Sequence, residues 1–220
     1  MVARGIALTL VGLSSMGALL FGAAGRLDLP WLWAYWSTWV LAVLVVYGVA
    51  MSTNPDLVRE RMRPPNDRDR ATRALAALPG LGHFVAAGID VGRVGWSSIG
   101  VGGHVFGLFL LWAGWALIAW TFATNRFASS AVRIQSDRDH EVITSGPYAW
   151  VRHPMYTAVL LVVAGAGPAV GSWWATLCLL PLVPIFIRRT RLEDRMLHEE
   201  LPGYPEYAEQ TRFRIIPGVY

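Results

Sequence analysis

The sequence predicts an all-α integral membrane protein, a bundle of about five to six transmembrane helices followed by a cytoplasmic C-terminal helix. Three observations predict it. Apolar residues make up 54% and charged residues 15% of the 220 residues, where a soluble domain carries roughly 25% charged residues. The apolar residues fall in runs close to the roughly 20 residues that a membrane crossing needs. The 19 basic residues are all arginine and cluster between those runs, which is the charge pattern of membrane loops and not of a nucleic-acid surface.

The runs are read in order. Ile6 to Ala24 is the first, bounded by Arg4 and Gly25-Arg26; its positive start and the small residues at Phe21-Gly22-Ala23-Ala24 leave a cleavable signal peptide as the rival reading. Trp31 to Met51 is the second, with Trp31, Trp33, Tyr35 and Trp36 read as an aromatic belt at its start. Ser52 to Arg73 is polar, and Pro64-Pro65 breaks any helix there. Ala74 to Ile89 is a shorter apolar run and Val101 to Ala123 a long one. After the polar stretch Thr124 to Arg152, Tyr156 to Gly167 and Gly171 to Ile187 read as two helices joined at Gly165-Ala166-Gly167-Pro168. Arg188 to Tyr220 is polar, and helical to about Arg212. One structural domain results, with N-terminal transmembrane helices over 1–123 and the chemistry-bearing half over 124–220.

Charge sets the expected orientation. With the 52–73 loop cytoplasmic, 25–30 and 90–97 lie outside, and all but two of the arginines (Arg26 and Arg93) fall inside. The segments 124–155 and 188–220 then face the same compartment, as a shared site requires.

The most informative stretch is His140-Glu-Val-Ile-Thr-Ser-Gly-Pro-Tyr-Ala-Trp-Val-Arg-His-Pro-Met-Tyr156. His153 and Pro154 stand at the start of an apolar helix, where proline is tolerated and where free N–H groups favour an anion. Gly146-Pro147 supplies a turn. In the second stretch, Arg188 to Tyr207, Arg189 and Glu193 are four apart and share a helix face. From charge alone this segment also reads as a solvated juxtamembrane helix.

The run Thr144-Ser-Gly-Pro-Tyr-Ala-Trp-Val-Arg-His-Pro-Met-Tyr156 resembles the signature of the isoprenylcysteine carboxyl methyltransferase family, whose relatives include phospholipid N-methyltransferases. The later Arg189-x-x-x-Glu193-Asp194, the Tyr204-x-x-Tyr207 pair and the ending Arg214-Ile-Ile-Pro-Gly are similar to that family's C-terminal half. The resemblance covers about Arg126 to Gly218; upstream, Asn54-Pro-Asp-Leu-Val-x-Glu-Arg resembles loops of bacterial members. It implies an S-adenosylmethionine-dependent methyltransferase in a bacterial inner membrane, its site and C-terminus cytoplasmic, acting on a lipidic or small apolar acceptor, with a carboxylate as in isoprenylcysteine O-methylation as the leading choice. Carried over, the cofactor-lining positions are Gln135, His140, Val142, Ile143, Tyr148, His153, Pro154, Tyr156 and Glu193, with a shorter spacing at Gln135 than the family has. Glu193, His153 and Arg189 become the catalytic group, and Arg189 the residue at the substrate end. Asp194 departs from the second glutamate of many members, and Leu201-Pro-Gly-Tyr departs from the eukaryotic pattern.

The chemistry agrees with the implied cofactor. Glu193 suits an ammonium, His153 with the helix start suits a carboxylate, and Tyr148 with Tyr156 offers aromatic surface. Methyl transfer to a carboxylate needs alignment and dryness more than a base, and Arg189 suits a carboxylate as a clamp; an amine or thiol would need His153 or Glu193 as base. Two other classes stand beside this one: a membrane NADPH-dependent reductase of the steroid-reductase type, and a non-catalytic membrane scaffold. Other residues have plainer readings. His83 and His104 read as packed or hydrogen-bonded, Asp90 as a helix end facing water, His198 as part of a solvated face, and Cys178 as a small buried residue. The glycines of Gly100 to Gly107 read as helix start and helix packing. His140 and His153, 13 residues apart without a third ligand, do not make a metal site.

Overall fold

Helix boundaries follow from glycine, proline and asparagine at the ends of the apolar runs. The computed structural model describes residues 2–62 and 69–220; Pro64-Pro65 lies outside the described residues. Helix α1 (Val2–Ala24) ends where Gly25 turns to φ 70° and its N–H returns 2.9 Å to the Phe21 carbonyl, a left-handed cap that glycine adopts without strain. Helix α2 (Pro30–Thr53) starts with proline in its first turn and stops at Asn54, ahead of Pro55, which opens α3 (Pro55–Arg61). Helix α4 (Arg70–Ile89) runs into a π-helical turn, Asp90–Val94. Helix α5 (Val101–Thr124) is followed by an irregular stretch with short 3-10 turns at Ser136–Arg138 and Gly146–Ala149. Then come α6 (Pro154–Val170), α7 (Trp173–Leu179), α8 (Leu182–Glu200) and α9 (Tyr204–Gln210).

The protein is helical, with no strand among the described residues. Four stretches are long and apolar enough to cross a bilayer: Ala7–Ala24, Pro30–Thr53, Ala74–Val94 and Val101–Thr124; Pro154–Val170 is a shorter apolar helix. Beyond α5 the architecture departs from the sequence expectation. The hairpin bends at Gly171-Ser172, not at 165–168: Gly171 takes φ 92°, while Gly165 to Pro168 stay helical. The expected single helix over 171–187 breaks at Leu180-Pro181 into α7 and α8, because proline removes a backbone donor and crowds the preceding turn. The terminal region breaks again at Leu201-Pro202-Gly203.

Helices α5 and α6 approach closely across small residues. A Cβ built on Gly107 would lie 2.2 Å from the Ala169 nitrogen, and one on Gly165 would lie 2.6 Å from the Gly107 carbonyl oxygen. Two backbones meet here because neither carries a side chain, the usual device where lipid leaves no hydrophobic drive between helices. Gly107→Ala should therefore lower stability by about 1–3 kcal/mol, the cost of overpacking a close contact, read as a lower melting temperature in detergent beside Gly102→Ala, where a Cβ meets nothing within 4 Å.

The buried histidines and Asp90 inside the bundle are paired, whereas the Trp39 and Trp115 indole N–H groups have no hydrogen-bond partner among the described residues. The Tyr35 hydroxyl lies 2.6 Å from His83 Nε2, and His83 Nδ1 lies 3.0 Å from the Ala175 carbonyl; Tyr35 is fully buried and so is not part of an interfacial belt. His104 Nδ1 lies 2.9 Å from the Ala169 carbonyl, and its ring stacks on Trp31 at 4.2 Å. Both histidines are packed and hydrogen-bonded, as read from the sequence. Asp90 is not at a water-facing helix end. It is 1% exposed and accepts from Ser97 N–H (3.0 Å), Ser97 Oγ (2.6 Å) and Ser172 Oγ (2.6 Å), tying the π-helical turn to the α6–α7 bend. Cys178 is half-buried on α7 and outside the core clusters. His198 keeps its place on the open face of α8, with its side chain 38% exposed.

Helices α5 and α6 run antiparallel, so the Asp90–Ser172 contact marks one end of the bundle and the α5 C-terminus with the α6 N-terminus marks the other. The irregular 125–153 stretch, the second half of α8, and α9 gather at that second end.

Candidate active site

Local chain geometry opens a cleft at that end. Gly146 holds φ 59°, and a Cβ there would lie 2.7 Å from the Thr124 hydroxyl; only glycine turns the chain back over the end of α5 this closely. Asn54 Nδ2 caps the same end, donating to the Phe122 (2.6 Å) and Ala123 (2.9 Å) carbonyls that have no helical partner. His153 stands before Pro154 at the start of α6, and Tyr156 follows one turn in.

All nine positions expected to line a cofactor site line one cleft: Gln135, His140, Val142, Ile143, Tyr148, His153, Pro154, Tyr156 and Glu193. Met196, Leu197, Leu201, Tyr204 and Tyr207 add an apolar and phenolic wall from α8 and α9. Arg189, expected at the substrate end, does not line it. Its Nε donates to the Tyr156 hydroxyl at 2.9 Å and its Nη2 to the Ser130 carbonyl at 2.6 Å, and Asp69 lies 3.9 Å from Nη1. The Tyr156 hydroxyl in turn donates to Glu193 Oε2 at 2.6 Å. Arg189 and Glu193 thus share a helix face, and the arginine works behind the tyrosine while the glutamate faces the cleft.

The remaining walls are fixed by hydrogen bonds. Gln135 is 1% exposed; its Nε2 donates to the Phe127 carbonyl at 2.7 Å and its Oε1 accepts from Arg138 Nη1 at 2.5 Å. The Gln135 backbone N–H points at His140 Nδ1, 3.3 Å away, so that nitrogen accepts and the ring's proton sits on Nε2. Burial, with help from Arg133 and Arg138, pushes the His140 pKa down to about 4, so the ring is neutral near pH 7. The Tyr148 hydroxyl accepts from Asn125 Nδ2 at 2.7 Å, and its carbonyl accepts from the Tyr207 hydroxyl at 2.7 Å. Desolvation pushes the Tyr148 phenol up, and Tyr207 to about 12, so both are neutral hydrogen-bonding groups. Arg133, at the cleft edge, is taken by Glu60 (2.6 Å) and Asp137 (2.8 Å).

Sequence reasoning missed the centre of this network. Asp194, noted only as a departure from a family glutamate, accepts from Arg152 Nε (2.9 Å) and Nη2 (3.2 Å), Arg214 Nε (2.7 Å) and the Tyr204 hydroxyl (2.9 Å), with His153 Nε2 3.2 Å away. Burial works to raise its pKa, but hydrogen bonds from His153, Arg152 and Arg214 outweigh burial and hold it well below the usual carboxylate range. The C-terminal strap locks on beside it: Arg152 N–H donates to the Phe213 carbonyl (2.9 Å), His153 N–H to the Arg214 carbonyl (2.8 Å) and Thr157 Oγ1 to the Ile215 carbonyl (2.6 Å). The signal was present in the motifs already quoted, since Arg152, Tyr204 and Arg214 each belong to one.

Residues 103–202 match the phospholipid methyltransferase family. That stretch begins in α5 and ends just past α8, and so takes in most of the cleft. The long apolar helices fit an integral membrane protein. The chain is also 35% identical over 82 residues to the cobalt-zinc-cadmium resistance protein CzcN of Cupriavidus metallidurans, 37% of this chain and 38% of that protein. It is 29% identical over 92 residues to the nickel-cobalt-cadmium resistance protein NccN of Alcaligenes xylosoxydans xylosoxydans, 41% of this chain and 43% of that protein. The chain thus matches about two fifths of the length of each of these relatives. Among the described residues no group of three or more histidine, cysteine, aspartate or glutamate side chains is placed to hold a metal ion.

Proposed function

We infer that the protein is an S-adenosylmethionine-dependent methyltransferase acting at the membrane on a lipidic or small apolar acceptor. The observation that carries this reading is that the nine positions carried over from the resemblance, spread from Gln135 to Glu193, line one cleft. The donor set fits the cofactor. Glu193 offers a carboxylate oxygen to a cation beyond the one that Tyr156 occupies; the neutral His140 ring carries an Nε2–H donor; Val142, Ile143, Met196 and Leu197 offer apolar surface for a flat base. S-adenosylmethionine, when bound, supplies a methyl group on a sulfonium centre.

This chain's residues then have defined tasks. Glu193 would hold the cationic amino-acid end. Tyr156 keeps Glu193 in place, and Arg189 keeps Tyr156 in place. The strap from Thr211 to Ile215 closes over the start of α6 and helps to keep water from the site. The site faces the compartment that receives the arginine-rich loops, which the positive-inside rule makes cytoplasmic. A carboxylate acceptor gains nothing from Arg189, which does not line the cleft and is held behind Tyr156 with Ser130 and Asp69, so the reading stays at the level of a lipidic or apolar acceptor.

Calorimetric titration of the detergent-purified protein with S-adenosylmethionine and, separately, NADPH tests the reading. Saturable S-adenosylmethionine binding is expected. NADPH binding alone would move the protein to the reductases, and binding of neither would leave a scaffold.

A further inference from the structure

Five donor atoms converge on the Asp194 carboxylate, whose side chain is 4% exposed. Both Arg152 contacts, Arg214 Nε and the Tyr204 hydroxyl are donors whatever the state of the histidine. The fifth, His153 Nε2 at 3.2 Å, can take either role. A carboxylate held among arginines only accepts, so the ring nitrogen facing it must carry a proton. Tyr204 does not compete: its hydroxyl lies 2.9 Å from Asp194 Oδ1 and 3.4 Å from His153 Nε2, and its single proton goes to the carboxylate.

In the neutral ring the other nitrogen is then the acceptor. His153 Nδ1 makes no hydrogen bond within the described residues, and the residue lines the cleft. The backbone at this point is also pinned, with the Arg152 and His153 N–H groups both held by the strap, so the ring has a fixed root as well as a fixed tip. The geometry points to Asp194 as a positioning residue that holds His153 as the Nε2–H tautomer and presents the Nδ1 lone pair to the cleft as an acceptor for an N–H group of the bound cofactor. The cleft's two histidines thereby differ. The Gln135 amide takes His140 Nδ1, leaving an Nε2–H donor; Asp194 takes His153 Nε2, leaving an Nδ1 acceptor. The orientation of the ring is independent of what binds, whereas the use made of Nδ1 rests on the function proposed above.

Nitrogen-15 NMR of the full chain, labelled at histidine in detergent near neutral pH, tests the proposal; the signal that disappears in His153→Ala identifies the ring. In the wild type, the proton-bearing nitrogen is expected to be Nε2 and the bare one Nδ1, with Nδ1 shifting on addition of S-adenosylhomocysteine. Asp194→Asn is nearly isosteric. Arg152 and Arg214 claim its oxygen, its amide N–H faces His153, and the ring proton is expected to move to Nδ1. S-adenosylmethionine affinity should then fall about tenfold, the value of one hydrogen bond to a charged or polarised group. A wild-type ring protonated at Nδ1 overturns the proposal, as does a folded Asp194→Asn protein with the tautomer unchanged. If the variant does not fold, the wild-type tautomer decides. If the wild type binds no S-adenosylmethionine, the functional reading fails while the tautomer still tests the role of Asp194.

Discussion

Asp194→Ala is expected to destabilise the protein by roughly 3–5 kcal/mol, the range for removing one partner of a buried ion pair. Arg152 is 5% exposed at its side chain and donates twice to this carboxylate. Alanine would leave the guanidinium buried with only the Thr211 and Arg212 carbonyls, and would free Arg214 and Tyr204 as well. The strap, α8, α9 and the start of α6 meet at this one group, so its loss should reach all four. The measurement is the unfolding transition in detergent beside Glu199→Ala, an exposed position of the same helix; equal transitions in the two variants would refute the expectation.

The same carboxylate predicts a pH dependence with a defined sign. Its folded pKa is depressed, so the folded state binds its proton less readily than the unfolded chain does. Its stabilisation is therefore complete above the ordinary aspartate value of about 4 and is lost as pH falls below that toward the folded value. Thermal unfolding followed from pH 7 to 3 should decline mainly at the acid end, and Asp194→Asn should flatten that decline.

Glu193→Gln is expected to weaken S-adenosylmethionine binding by roughly 10- to 150-fold, the effect of losing one charged hydrogen bond at about 1.5–3 kcal/mol. The glutamine keeps the shape and can still accept from the Tyr156 hydroxyl, 2.6 Å from Oε2 in the native protein, so the fold should persist. Only the charge offered to the cofactor's cation is removed. Titration calorimetry reads the affinity directly. An unchanged affinity would place the cation elsewhere and take Glu193 out of the site.

Much of the cleft was legible before any coordinates, for a particular reason. The stretch from His140 to Tyr156 is short, so its glycine-proline turn, its histidines and its helix start are neighbours in sequence and remain neighbours in space. Glu193 was legible through the resemblance of Arg189-x-x-x-Glu193-Asp194 to a family motif, the helical repeat adding only that it shares a face with Arg189. Arg189 itself shows the limit of that logic. The repeat shows that the two residues share a face, but not that Tyr156, on another helix, stands between the arginine and the cleft.

By itself the sequence determined the material of the protein: helices, the places where apolar runs cross a bilayer, and the polar words that carry chemistry. Hydropathy and the 3.6-residue repeat are local properties, and they act before the chain has folded. Only the tertiary structure decided who partners whom. Asp90 looked like a water-facing helix end until Ser172, 82 residues away, closed on it. Asp194 looked like a variant position until residues 42, 41 and 20 positions away converged on it. A buried carboxylate is stable only where donors replace its lost water, and donors so distant along the chain are brought together only by the fold.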